Sequence, residues 1–150
     1  MLGVSFKRKS TAEKSNSTHK RMEIINQPPP NFSEIKQYFD VEKYKPVFCY
    51  GNKIYNPYKH DIPVDIQIHE EVHSKQQAEY SSPDIWWTKY ILDQNFRKTQ
   101  ELDAYHTQYL WLTERIPEKG YSEALDEMAT HLSSLYNLDL NFYQAKTAIR

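Results

Sequence analysis

Between Val64 and Tyr80 the chain reads VDIQIHEEVHSKQQAEY, a helical pattern whose repeating face is polar. On a helical wheel Ile66, His69, His73, Gln76 and Tyr80 share one face, with Ile68 and Val72 on a neighbouring stripe. A helix packed inside a small domain turns its apolar side inward. Here much of the inward face is imidazole and amide. Buried polar groups are costly without partners, so this face needs something to satisfy it.

Around this helix the pattern predicts further elements. Asn31 followed by Glu34 spells a capping box for a short helix, FSEIKQYF. In KPVFCYGNKIYNP, the strand formers Val47, Phe48 and Tyr50 are parted from Ile54 and Tyr55 by Gly51-Asn52. Gly in the first place suits a type II′ hairpin turn, and Pro46 and Pro57 bound the pair as edge-tolerant residues. Ser82-Pro83-Asp84 reads as N-cap, first helical residue and acidic first turn for PDIWWTKYILDQ. A long helix from about Arg97 to Arg115 ends before Pro117 and Gly120. Ser122 can cap EALDEMATHLSSLY and Asn141 can cap FYQAKTAI. The expected class is α+β, mostly α. A short β-hairpin or small sheet edge precedes a helical bundle that carries the two histidines, and no internal repeat is visible.

A chain of 150 residues suits one domain with a real core. Its 12 tyrosines and few glycines argue against wholesale disorder. The net charge of −1 is uneven: Lys7, Arg8, Lys9, Lys14, Lys20 and Arg21 against Glu13 make residues 1–22 +5, leaving −6 elsewhere. KRKSTAEKSNSTHKR is nearly devoid of apolar residues, and QPPPN follows it. The expected organisation is a flexible basic tail over 1–30 and one domain over 31–150. The tail is the only part suited to nucleic acid, which is therefore not an expected partner. A single cysteine, Cys49, excludes an internal disulfide framework and reads as a small buried hydrophobe. There is no signal-peptide core and no long apolar span, so a membrane is not expected either.

The chemistry centres on His69-Glu70-x-x-His73. Two histidines four apart on a helix lie about 40° apart around it and roughly 6 Å along it, so both can reach one zinc ion (Zn2+). Glu70 points about 100° from His69, which lets it reach a water on the metal as a general base without being a ligand. A catalytic zinc needs a third protein ligand and an open position. Glu101, 28 positions after His73 in TQELDAYHTQYLWL, can return to the site across an intervening helix. Ala104 beside it permits close helix approach, while Asp103 and His106 are rival ligands.

At this point the chain resembles a gluzincin-type zinc metallopeptidase. The strings FCYGNKIYNP, HEEVHSKQQ and ELDAY look most like small zincin-like proteins of bacteriophages and bacteria, over about residues 45 to 115. The resemblance implies that His69 and His73 bind zinc, Glu70 is the base and Glu101 the third ligand. It also implies that the strand near Tyr50 to Tyr55 is an edge along which a peptide substrate aligns. Thermolysin-like gluzincins carry an Asp four residues after the Glu ligand, where this chain has Tyr105. Tyr105 and His106 are then candidates for the oxyanion stabiliser, with Gln76 and Gln77 as partners behind the ligands. A cytoplasmic place, in the producing or host cell, or a virion-associated one is expected.

Two functions of different kind follow. One is a zinc-dependent hydrolase acting on a peptide or protein substrate. The other is a non-catalytic virion or interaction protein with a structural or relic metal site. Glu70 discriminates them, because a structural site has no use for a base. The substrate and the oligomeric state are not legible in these residues.

Overall fold

The computed structural model describes Met1 and residues 21–150. The expected flexibility of the basic tail falls on residues 2–20 and so lies outside the described residues. Three short strands form one sheet in the order β1-β3-β2: β1 (Glu23–Ile25), β2 (Phe48–Tyr50) and β3 (Lys53–Tyr55). The helices are α1 (Phe32–Tyr38), α2 (Val41–Tyr44), α3 (Val64–Ala78), α4 (Pro83–Leu92), α5 (Gln94–Thr113), α6 (Tyr121–Ser134) and α7 (Phe142–Ile149). The class is α+β and mostly α, and five helices follow the hairpin. No helix among the described residues is long and apolar enough to cross a membrane.

The hairpin forms as its turn residues require. Tyr50 pairs with Lys53 across Gly51-Asn52, and Gly51 takes φ +63° while Asn52 stays out of the positive-φ region. That is the type II′ pattern. β1 is a departure from the sequence reading. Met22, Ile24 and Ile25 make too short an apolar run to read as a strand, yet Ile24 pairs in parallel with Ile54. Regular structure thus reaches into the stretch assigned to the tail, before the prolines.

The helix starts follow the capping signals only in part. Asn141 makes the full capping box with Gln144. Asn31 makes none: its φ −100°, ψ 23° is not the extended backbone that aims a capping side chain, and the helix N–H groups go to its carbonyl instead. Ser82 is extended but its hydroxyl caps nothing, because Ile85 N–H bonds the Ser82 carbonyl. Asp93 accepts from Phe96 N–H at 3.0 Å and starts α5 three residues before Arg97. A 3₁₀ turn over Glu118–Gly120 feeds straight into α6, so Ser122 lies inside that helix rather than at its cap.

α3 packs on α5, β2 and α4, and α6 on α7 and α5. Trp86, Trp87, Tyr90, Phe48, Ile54, Leu132 and Tyr136 are fully buried among them. Cys49 is buried too, and burial pushes its thiol well above the usual range, as a packing residue rather than a nucleophile.

β3 is the central strand, so the expected substrate edge cannot lie along Ile54-Tyr55. β2 is an edge, but its outward Cys49 carbonyl is occupied. In a two-residue hairpin the pair beside the turn is hydrogen-bonded, so the backbone of Cys49, one pair further, faces outward. The Cys49 carbonyl accepts from Gln77 Nε2 at 2.9 Å and from Trp87 Nε1 at 3.1 Å. Gln77 Oε1 also accepts from Gly51 N–H at 2.7 Å. Gln77 is thus a clamp between α3 and the hairpin and faces away from the histidines' partners. Replacing it with Leu leaves the Gly51 N–H without this partner and the Cys49 carbonyl with Trp87 alone. The expected cost is about 2–3 kcal/mol, read as a melting temperature lower by roughly 5–10 °C. An unchanged thermal melt would show that the clamp carries no stability.

Candidate metal centre

α3 and α5 run antiparallel, with Asp65 opposite Gln108 and Gln76 opposite Gln100. Ala104, fully buried, lines the seam between them. The facing residues are polar on both sides. α3 buries Asp65, His69, Glu70, His73, Gln76 and Gln77, and α5 buries Arg97, Glu101, Tyr105 and Gln108. The predicted polar face is therefore the packed face.

Three of these side chains converge. His69 Nε2 lies 3.1 Å from Glu101 Oε2, and His73 Nε2 lies 3.2 Å from Glu101 Oε1. One ligand atom from each of the three residues lies within 4.8 Å of the others, and all three residues are fully buried. Ligands of a tetrahedral ion with bonds of about 2.0–2.1 Å stand roughly 3.3 Å apart, so this set fits a small cation. Each histidine turns its other nitrogen to an amide: His69 Nδ1 is 3.0 Å from Gln108 Oε1, and His73 Nδ1 is 2.8 Å from Gln76 Oε1.

The electrostatics of the site follow from burial and from its mutual charges. Burial opposes charge on Glu101, but His73, the Met1 amine and the imidazole hydrogen bonds outweigh it and hold the carboxyl well below its usual range. Burial lowers the pKa of His69. The hydroxyl of Tyr90, kept protonated by burial, donates to Glu101 Oε1 at 2.6 Å and fixes the carboxylate. Glu70 is fully buried, and neither of its oxygens has a hydrogen-bond partner among the described residues. Burial accordingly raises its pKa. His73 Nε2, close to Glu101 but poorly aligned, lacks a hydrogen bond as well. Orphaned buried groups of this kind are expensive.

A cation already sits among them. The α-amino group of Met1 is 3.5 Å from Glu101 Oε1 and 3.7 Å from Glu70 Oε1. Burial would lower its pKa, yet the carboxylates outweigh that and raise it. We read this ammonium as a stand-in for the positive charge that the carboxylates require. The Met1 carbonyl accepts a hydrogen bond from the Tyr136 hydroxyl, which is 2.7 Å from that of Tyr105. Tyr136 is held in turn by Arg97, whose Nε donates to its carbonyl at 2.7 Å.

Of the predicted residues, His69, Glu70, His73 and Glu101 come together. His106 does not: it is exposed and binds the Ile149 carbonyl at 2.7 Å, which removes it as ligand or oxyanion donor. Asp103 lies one step back, accepting from Gln76 Nε2 at 3.1 Å. Tyr105 is beside the site, its ring 4.4 Å from that of His69, but its hydroxyl serves Tyr136. Sequence reasoning missed Asp65, Gln108, Tyr90 and Tyr136. Asp65 is one helical repeat before His69 and Gln108 two turns after Glu101, so helical spacing could have found both. Tyr90 and Tyr136 carry no local signal.

The fold and this site define a small, mostly helical α+β protein with a buried His-His-Glu group able to hold a metal ion. Compared with known proteins, the chain matches no protein-family profile, no curated protein and no solved structure.

Proposed function

We propose that this protein is a zinc-dependent hydrolase, and that its substrate is a peptide or protein. The observation that carries the reading is a buried carboxylate without a hydrogen-bond partner, Glu70, directly beside three converging metal-ligand atoms. Two imidazoles and a glutamate are the three protein ligands of one kind of catalytic zinc site. A structural zinc site is closed by four protein ligands, whereas the described residues offer three. The gluzincin resemblance of HEEVHSKQQ and ELDAY points the same way.

Bound there, zinc would supply Lewis acidity, lowering the pKa of a water toward ~7 and polarising a carbonyl. His69, His73 and Glu101 would hold it, with Tyr90 keeping Glu101 in place. Glu70 takes one proton from the attacking water and delivers it to the leaving amine as the C–N bond breaks. The seating of Met1 supports the rest. Its carbonyl oxygen accepts from Tyr136 beside the metal-ligand residues, so the Tyr136 hydroxyl can meet a substrate oxygen there as well. Tyr136, rather than Tyr105, is then the donor to the developing oxyanion. Tyr136→Phe is expected to lower kcat roughly a hundredfold, with zinc content and KM little changed.

The direct test is zinc content of the purified protein by elemental analysis, together with hydrolysis of a mixed peptide library followed by mass spectrometry. Cleavage that stops on chelation and returns with zinc is the expected result. Bound zinc with no cleavage of any library member would favour a structural metal site.

A further inference from the structure

Behind each histidine stands an amide, and behind each amide a carboxylate. Their donor and acceptor inventories leave one arrangement. An ionised carboxylate accepts hydrogen bonds and donates none. Asp65 Oδ2 therefore takes the Gln108 Nε2–H, at 2.8 Å, which turns Gln108 Oε1 toward His69 Nδ1. A carbonyl oxygen only accepts, so Nδ1 must carry the ring proton. With a cation bound, Nε2 then offers it a lone pair, while without one Nε2 is the hydrogen-bond partner of Glu101 Oε2 at 3.1 Å. On the other side, Gln76 Nε2 donates to Asp103 Oδ2 and to the Gln100 carbonyl, both at 3.1 Å. Gln76 Oε1 is thereby aimed at His73 Nδ1 at 2.8 Å.

We propose that Asp65–Gln108 and Asp103–Gln76 are positioning pairs that select the Nδ1–H tautomer of His69 and His73 and so aim both Nε2 lone pairs at one cation. The inference rests on the metal-centre reading for its cation, while the Nδ1 proton is set by the amide oxygen behind each ring, with or without metal. Neither pair touches a substrate. They act through the histidines.

The two pairs are not equivalent. Gln76 is oriented by two acceptors, one of them a backbone carbonyl that no side-chain substitution removes. Among the described residues Gln108 is oriented by Asp65 alone, and Asp65 is buried while Asp103 is exposed. The Asp65→Asn change lets the Gln108 amide rotate and present N–H to His69. The Asp103→Asn change leaves the Gln100 carbonyl in command.

The test measures zinc affinity by chelator competition and ring protonation by long-range 1H–15N NMR on the full chain. In the wild type Nδ1 of both histidines is expected to be protonated, with zinc on Nε2. Gln108→Leu should weaken zinc binding by about 10–100-fold and Asp65→Asn by about tenfold, the usual worth of partners behind metal ligands. Asp103→Asn should cost less than about threefold, since one acceptor remains. The double variant Asp65→Asn/Gln108→Glu moves the carboxylate one step forward, so that His69 Nδ1–H keeps an acceptor and the new side-chain amide at position 65 can donate to that carboxylate. It should recover affinity to within about threefold of wild type, a coupling that mere packing at these positions would not produce. The proposal is overturned by an unprotonated Nδ1 on either ring, by equal losses in Asp65→Asn and Asp103→Asn, or by a double variant no tighter than Asp65→Asn. Protonated Nδ1 atoms in a wild type that takes up no zinc would leave the positioning pairs standing and remove the hydrolase reading.

Discussion

Glu70→Gln is expected to lower turnover by roughly 10²–10⁴-fold while zinc stays bound at near-equal stoichiometry. Gln keeps the size of the side chain and its ability to hydrogen-bond, but at neutral pH it accepts no proton. Glu70 is not among the three ligand residues, so the metal should be indifferent to the change. The environment of Glu70 makes the experiment clean. Its oxygens have no hydrogen bonds to lose, burial already disfavours its charge, and the ion pair it gives up, to the Met1 amine at 3.7 Å, leaves that amine Glu101 as a partner. The variant should therefore fold about as well as the wild type. Zinc-loaded Glu70→Gln that cleaves at the wild-type rate would remove Glu70 as the base.

His73→Ala should behave differently, losing metal and activity together. One of three ligands is gone, and Glu101 loses the neighbour that does most to keep it ionised in a dry site. Zinc at a hundred times its dissociation constant stabilises a folded protein by about 2.7 kcal/mol, which for a chain of this size is a melting shift of roughly 5–10 °C. That shift should appear in the wild type and vanish in His73→Ala. A variant stabilised by zinc as strongly as the wild type would mean that the ion binds elsewhere. The pair of substitutions thus separates holding the metal from using it.

Much of this was legible in local sequence because it depends on local geometry. Helical spacing alone puts Ile66, His69, His73 and Gln76 on one face, and the structure buries all four. Gly51-Asn52 demands a tight hairpin turn because only the first position needs positive φ. Asn141 and Gln144 cap their helix by contacts three residues apart. Of the capping readings that failed, those at Asn31 and Ser82 did so where the backbone offered a carbonyl to the same N–H groups, and that at Ser122 because the 3₁₀ turn starts the helix earlier.

What only the tertiary structure decided are the contacts between distant segments. Glu101, Asp103 and His106 lie within six residues of one another and were rivals for one metal position. The docking of α5 on α3 selected Glu101, turned Asp103 to Gln76 and sent His106 to the end of α7. The parallel pairing of β1 with β3 made β3 central, and Gln77 with Trp87 took the outward Cys49 carbonyl of β2. Tyr136 reached the site because Arg97 grips the carbonyl that follows α6. A pattern of side chains along one helix specifies which atoms face inward. Which partner meets them depends on how helices far apart in the chain pack, and that is set by the shape of the whole core.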